Sequence, residues 1–256
     1  MEEGNKKKRR FGWIIIAAVV CIVMVIGLAS LWLMYRGREY DKNWPQHDLT
    51  SGPYSTGYDG IDISVNQGRI RWDEMKGKKI PRFIYVKATE GVTHKDACYD
   101  RNIAGARKRG IAFGSYHFFR KRDGAQQAKN FIKVVDRKKQ DLLPVVDCEE
   151  LGGTQGWSKA KIQSNLRAFI VTCTRAFGKK PIIYCSESYY KDYLSPSFDD
   201  CILFIAKYHM NQPVLPGKAH YTIWQYYDHG RVPGIYNWVD LDRFAPSANL
   251  KDIAYH

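Results

Sequence analysis

The chain has 256 residues, 45% hydrophobic and 26% charged, a balance that supports one substantial core, and no internal repeat or low-complexity segment interrupts it. Lys and Arg outnumber Asp and Glu by 40 to 26, and the resulting +14 favours an anionic partner such as a cell-wall polymer or a membrane surface. The absence of a nucleic-acid motif makes nucleic acid the weakest of the anionic partners, so none is expected, and seven scattered histidines without C-x-x-C or His-rich spacing leave no evident metal site; no cofactor is expected.

Residues 1–10 carry five basic and two acidic side chains, and 11–35 is uncharged and mostly apolar. Roughly 20 helical residues span a bilayer core, so 11–35 predicts a transmembrane anchor, longer than the apolar core of a signal peptide. Lys6 to Arg10 outweigh Arg36, Arg38 and Lys42, which keeps a basic tail at 1–10 in the cytoplasm and exports everything after 35. Residues 36–56 mix charges with Pro45, Gly52 and Pro53 and read as a linker. Residues 57–256 are long enough for one domain, expected to act as a monomer. That domain carries +11 of the total charge. Its five cysteines, Cys98, Cys148, Cys173, Cys185 and Cys201, cannot all pair internally and read as buried free thiols.

Within the domain, strands are predicted at 58–64, 82–88, 111–117, 142–147, 181–185, 202–207, 221–227 and 238–241. Between the earlier ones lie helical patterns at 72–75, 97–109, 125–135, 158–177 and 189–194. In 158–177, Ile162, Leu166, Phe169, Ile170, Cys173 and Phe177 keep a helical period behind a Ser158 cap. Five βα units followed by strands without helices argue for a mostly parallel barrel.

The stretch from Leu142 to Glu150 organises the domain. Its apolar run goes straight into Asp147, Cys148 and Glu149, and side chains alternate along an extended chain. Asp147 and Glu149 therefore share one face, about 6.5 Å apart along the backbone, with Cys148 on the other. Two such carboxylates repel, raise one pKa, and supply the equipment of glycoside hydrolysis. Active sites of such barrels gather at the C-terminal ends of the strands. Polar or aromatic residues stand at those ends here: Asp62, Glu90, Tyr116 and His117, Asp147 and Glu149, Tyr184, Lys207 and Tyr208, Trp224 and Gln225, and Asp240.

The motifs Gly60-Ile61-Asp62-Ile63-Ser64 with Gln67, Lys87-Ala88-Thr89-Glu90-Gly91, Gly114-Ser115-Tyr116-His117-Phe118, Asp147-Cys148-Glu149, Ile182-Ile183-Tyr184, Trp224-Gln225-Tyr226 and Val239-Asp240-Leu241 resemble, in order and spacing over 57–245, those of family 25 glycoside hydrolases, the N-acetylmuramidase lysozymes. The resemblance implies a flattened α/β TIM-like (β/α)5(β)3 barrel that cuts the β-1,4 bond between N-acetylmuramic acid and N-acetylglucosamine in peptidoglycan glycan strands. On that pattern Glu149 is the general acid, Asp147 orients or stabilises the reacting sugar, and Asp62 and Asp240 complete an acidic floor. Tyr116, Tyr184, Tyr208 and Trp224 line the glycan groove with Gln225, while Glu90 and His117 fall to binding or framework roles. The sequence departs from the family at Asp242, where Asn is common, and in its uncleaved anchor. A glycan-binding module without activity needs no four converging acids, and a metal-dependent phosphodiesterase needs clustered ligands that the chain lacks.

Overall fold

The computed structural model describes residues 22–28, 52–208 and 211–256. The chain divides into two units, Met1–Trp44 and Pro45–His256. In the first, residues 22–28 are helical and exposed. The predicted tail at 1–10 and the remainder of the predicted anchor and linker, save residues 52–56, lie outside the described residues. Among the described residues no helix is long and apolar enough to cross a membrane.

The second unit is built on strands β1 (Gly60–Ile63), β2 (Phe83–Glu90), β3 (His94–Lys95), β4 (Ala112–Phe118), β5 (Val145–Asp147), β6 (Ile182–Ser186), β7 (Leu203–Ala206), β8 (Tyr221–Gly230) and β9 (Val239–Phe244). Their order is β1-β9-β8-β7-β6-β5-β4-β2-β3, and a β1–β2 pairing closes eight of them into a barrel. Successive neighbours from β1 through β8 are parallel. β9 alone within the barrel runs antiparallel, to both β8 and β1. The seven parallel strands thus present their C-terminal ends at one mouth, and β9 enters from that mouth.

Three full helices cover the outside: α1 (Tyr99–Lys108), α2 (Gly124–Val134) and α3 (Lys159–Phe177). α3 follows its predicted period, burying Ile162, Leu166, Phe169, Ile170, Cys173 and Phe177, with Ser158 accepting from the Lys161 amide and Gly178 ending it at φ 79. Each fully buried apolar side chain in that stripe contributes about 1.5–3 kcal/mol. α2 is capped by Asp123 and packs so closely on α3 that a Cβ at Gly124 would sit 1.8 Å from the Asn165 carbonyl oxygen. The helix expected at 72–75 is only a 3-10 turn, Trp72–Glu74. Positive-φ Gly68 and Gly77 interrupt the chain on either side, so the turn has no room to propagate. The last of the predicted helices begins at Glu187–Tyr189 and widens into a π-type turn, Tyr190–Leu194.

The central strand is shorter than expected. Only Val145–Asp147 pairs with β4 and β6. Pro144 has no N–H to donate, and the residues before it also serve the C-terminal segment: Leu143 donates to the Ile253 carbonyl, and Leu142 bridges Ala254 while its N–H donates to the Phe113 carbonyl of β4. β3 was not anticipated, because its two residues are exposed and lack alternation. Cys148, Cys173, Cys185 and Cys201 form no disulfide; Cys98, Cys148, Cys173 and Cys185 are buried and Cys201 is partly exposed. Among the described residues the buried core runs continuously from Ile61 to Tyr255, as in a unit with a core of its own.

Candidate active site

A cavity of about 240 Å³ opens at the C-terminal ends of the parallel strands, lined among others by Asp62, Asp147, Glu149 and Asp240. Strand pairing places them. Asp62 lies opposite Asp240 in the β1–β9 register, and Asp147 lies beside Tyr184 in the β5–β6 register. Glu149 stays extended, at φ −123 and ψ 160, so it faces the same way as Asp147, while Cys148 turns into the core with its Sγ 3.3 Å from the Tyr189 hydroxyl.

Gln225 connects the acids to the aromatic wall. Its Nε2 donates to Asp62 Oδ2 at 2.6 Å, and its Oε1 accepts from the Tyr184 and Tyr208 hydroxyls at 2.7 and 2.6 Å. Tyr116 completes the predicted lining. A second depression of about 600 Å³ shares Glu149, Tyr184 and Tyr208 with the first and continues over Glu150, Leu151, Ser186 and Lys207. Glu149 therefore stands where two contiguous depressions meet, which suits a polymer that continues on both sides of it.

Three predicted site residues do not line the cavity, and the two-residue period of a strand explains two of them. Tyr116 and Phe118 face inward, so His117 between them faces the helices, stacked near Phe169 and Phe131 with Nδ1 2.7 Å from the Thr89 hydroxyl. Gln225 faces inward, so Trp224 is turned outward; its Nε1 donates to the Lys207 carbonyl and its ring meets Tyr226 edge-on. Glu90 accepts from Lys87 at 2.7 Å and from Arg120, framing the rim. Burial pushes His117 down to about 3, so its ring stays neutral. Conversely Tyr85, Lys87, Phe118 and Phe204 line the cavity without having been singled out. Tyr85 and Lys87 alternate on β2, and that period was the available signal.

Electrostatics follow from crowding acids in a buried space. Burial raises Asp62 to about 7, with the Gln225 hydrogen bond opposing and Glu149 adding repulsion. Burial and then the charge of Asp62 raise Asp240 to about 9. Asp147 is pushed well above the carboxylate range by burial and by Glu149 and Asp62, with Lys87 opposing. Glu149 is raised by burial, against the Tyr184 hydroxyl and Lys87. The group therefore retains protons at neutral pH. Oδ1 of Asp147 is buried with no hydrogen-bond partner among the described residues.

Below this floor Asp242 is fully buried, and neither of its side-chain oxygens has a hydrogen-bond partner among the described residues. Burial, then Asp62 and Asp240, push it well above the carboxylate range. Its folded pKa thus exceeds its unfolded value of about 3.9. Above that unfolded value the unfolded chain releases a proton that the folded chain keeps, so stability falls as pH rises, by about 1.4 kcal/mol per pH unit for one proton. Asp242→Asn removes this slope. Urea unfolding between about pH 5 and about pH 8 should show a shallower loss of stability in Asp242→Asn than in the parent; parallel pH profiles would show that Asp242 is not held protonated.

The profile of glycosyl hydrolases family 25 matches residues 61–235. The autolytic lysozyme of Clostridium acetobutylicum is 33% identical over 186 residues, covering 73% of this chain and 55% of that protein, so the match spans about half the length of that relative. Lysozyme M1 of Streptomyces globisporus is 30% identical over 215 residues, 78% of this chain and 72% of that protein. Among solved structures, the bacterial lysozyme from Streptomyces coelicolor gives a TM-score of 0.68 at 29% identity, covering 76% of this chain and 94% of that one. A family 25 glycosyl hydrolase from Bacillus anthracis gives 0.68 at 28%, covering 82% and 97%. With well over half of its length inside the family profile and the same barrel as these hydrolases, the chain belongs to glycosyl hydrolase family 25.

Proposed function

We infer that the chain is a peptidoglycan hydrolase, an N-acetylmuramidase that cuts the β-1,4 bond between N-acetylmuramic acid and N-acetylglucosamine. The observation that carries this reading is the placement of Glu149, its pKa raised, at the junction of two contiguous depressions floored by Asp62, Asp147 and Asp240. A glycan laid across the junction brings its scissile oxygen to Glu149. Glu149 gives that oxygen its proton as the bond to the anomeric carbon breaks. Asp147 accepts the N–H of the substrate's own 2-acetamido group through its unpartnered Oδ1, and the acetamido oxygen attacks the anomeric carbon. Water then opens the cyclic intermediate, giving its proton back to Glu149, and the configuration is retained; such substrate assistance is a known variant of two-carboxylate hydrolysis. Asp62, joined through Gln225 to Tyr184 and Tyr208, and Asp240 opposite it hold the floor and the aromatic wall. Mass spectrometry of fragments released from purified peptidoglycan should find N-acetylmuramic acid at every new reducing end. N-acetylglucosamine at those ends, or no release, would overturn the reading.

Residues 11–35 act in this scheme as an uncleaved anchor, with Lys6 to Arg10 in the cytoplasm and the barrel outside. The support is the charge asymmetry and the length of the apolar run. Protease added to spheroplasts should remove the barrel and spare the first ten residues. Soluble protein beginning near Leu31 would identify a cleaved signal peptide instead.

A further inference from the structure

The charge of the barrel is concentrated at one end. Because seven strands are parallel, the segments leading into them, together with the segment leaving β9, meet at the base, opposite the acidic cavity. Those segments are 57–59, 75–82, 107–111, 135–144, 178–181, 195–202, 213–220 and 245–256. They carry fourteen Lys and Arg against six Asp, a net +8 out of the +11 of the whole domain. The catalytic end and the helical flanks share only the remaining +3.

The basic residues at the base are mostly exposed and little neutralised. Among the described residues three ion pairs occur there: Arg82 with Asp59, Lys139 with Asp136, and Lys180 with Asp200. Arg107 and Arg137 donate to the carbonyls of Lys139 and Ala176 rather than to carboxylates, so their charge persists. Lys76, Lys78 and Lys138 are exposed, and their ammonium groups have no ion-pair partner among the described residues. The excess is spread over four separate segments (75–82, 107–111, 135–144 and 178–181) rather than gathered in a groove, a distribution suited to a broad anionic surface.

The geometry points to the base of the barrel as a docking face for an anionic lipid surface, turning the catalytic mouth away from the membrane and toward the wall. The choice of a lipid partner rests on the anchor proposed above: residues 36–56 can span at most about 75 Å even if fully extended, which keeps headgroups within reach of the domain. Each Lys or Arg brought to such a surface strengthens binding about fivefold, and the attraction decays within about 10 Å at 0.1 M salt.

Residues 45–256, the second compact unit of the chain, provide the test without the apolar segment. The protein should co-sediment with phosphatidylcholine vesicles containing phosphatidylglycerol, release as salt is raised, and ignore vesicles of phosphatidylcholine alone. The triple variant Lys76→Gln, Lys78→Gln, Lys138→Gln should bind about a hundredfold more weakly, with an unchanged circular dichroism spectrum and unchanged hydrolysis of soluble glycan fragments. Lys121→Gln with Arg122→Gln, which removes two exposed charges that follow β4 at the catalytic end, should bind like the parent. Equal binding to both vesicle types, no binding to either, or equal loss in both variants would overturn the proposal. So would a triple variant that keeps its vesicle binding but loses retention on teichoic-acid-bearing wall, which would give the charge to a wall polymer. Sedimentation is read without hydrolysis, so a failed activity assay leaves this result standing and a failed sedimentation leaves the hydrolase reading standing.

Discussion

Glu149→Gln is expected to lower turnover of purified peptidoglycan by about 10²–10⁴-fold, the usual contribution of a general acid, while glycan binding is kept. The amide preserves the shape of the side chain at the junction of the two depressions but has no proton to give. Two further readouts separate this role from a structural one. Burial raises the Glu149 carboxyl, so the basic limb of the parent's kcat/KM profile should lie above the ordinary glutamate range, and that limb should vanish with the residual activity of the variant. A substrate bearing a leaving group of low pKa needs little protonation, so Glu149→Gln should lose far less on such a substrate. Near-parent activity on peptidoglycan, or equal loss on both substrates, would remove Glu149 from the role of acid.

Much of this arrangement was legible from the chain because both the helical and the strand periods are strong in it. The burial of α3 follows its six apolar positions, and the mouth of the barrel follows the rule that parallel strands end together. What the sequence obscured has a common physical origin in alternation. His117 and Trp224 stand at strand ends beside residues that do face the cavity, and adjacent positions on one strand face opposite ways. Pairs such as Tyr116 with His117 therefore look equivalent in a motif and are opposites in the barrel. Lys87 stands in one of the motifs without a role of its own, yet its ammonium is held by Glu90 and lies 4.8 Å from the Phe118 ring centroid at the wall of the acid cluster. The early turn away from β5 was hidden because 142–146 is uniformly apolar, and only Pro144 hints that its first residues serve another partner.

Asp147→Asn is expected to be nearly as severe as Glu149→Gln, with a loss on the order of 10²–10³-fold, typical of removing one group that stabilises charge only in the transition state. The reason lies in what the buried Oδ1 can do. Asp147 has no partner for that oxygen among the described residues, and burial with repulsion from Glu149 and Asp62 holds the carboxyl protonated in the free enzyme. An acetamido N–H entering the cavity favours the ionised form, the Asp147 proton passing to solvent as the substrate binds, and as positive charge develops on the acetamido group during attack, the carboxylate stabilises it. An asparagine there is neutral and loses that stabilisation. The substrate offers an independent check, since de-N-acetylated glycan lacks the attacking oxygen altogether. The parent enzyme should cleave it very poorly, and Asp147→Asn should add little further loss on it. With ordinary glycan, NMR in the first moments of reaction should show the product in the retained configuration. Brisk cleavage of de-N-acetylated wall, or an inverted anomer, would replace the acetamido group by an activated water and would recast Asp147 as the base that activates it.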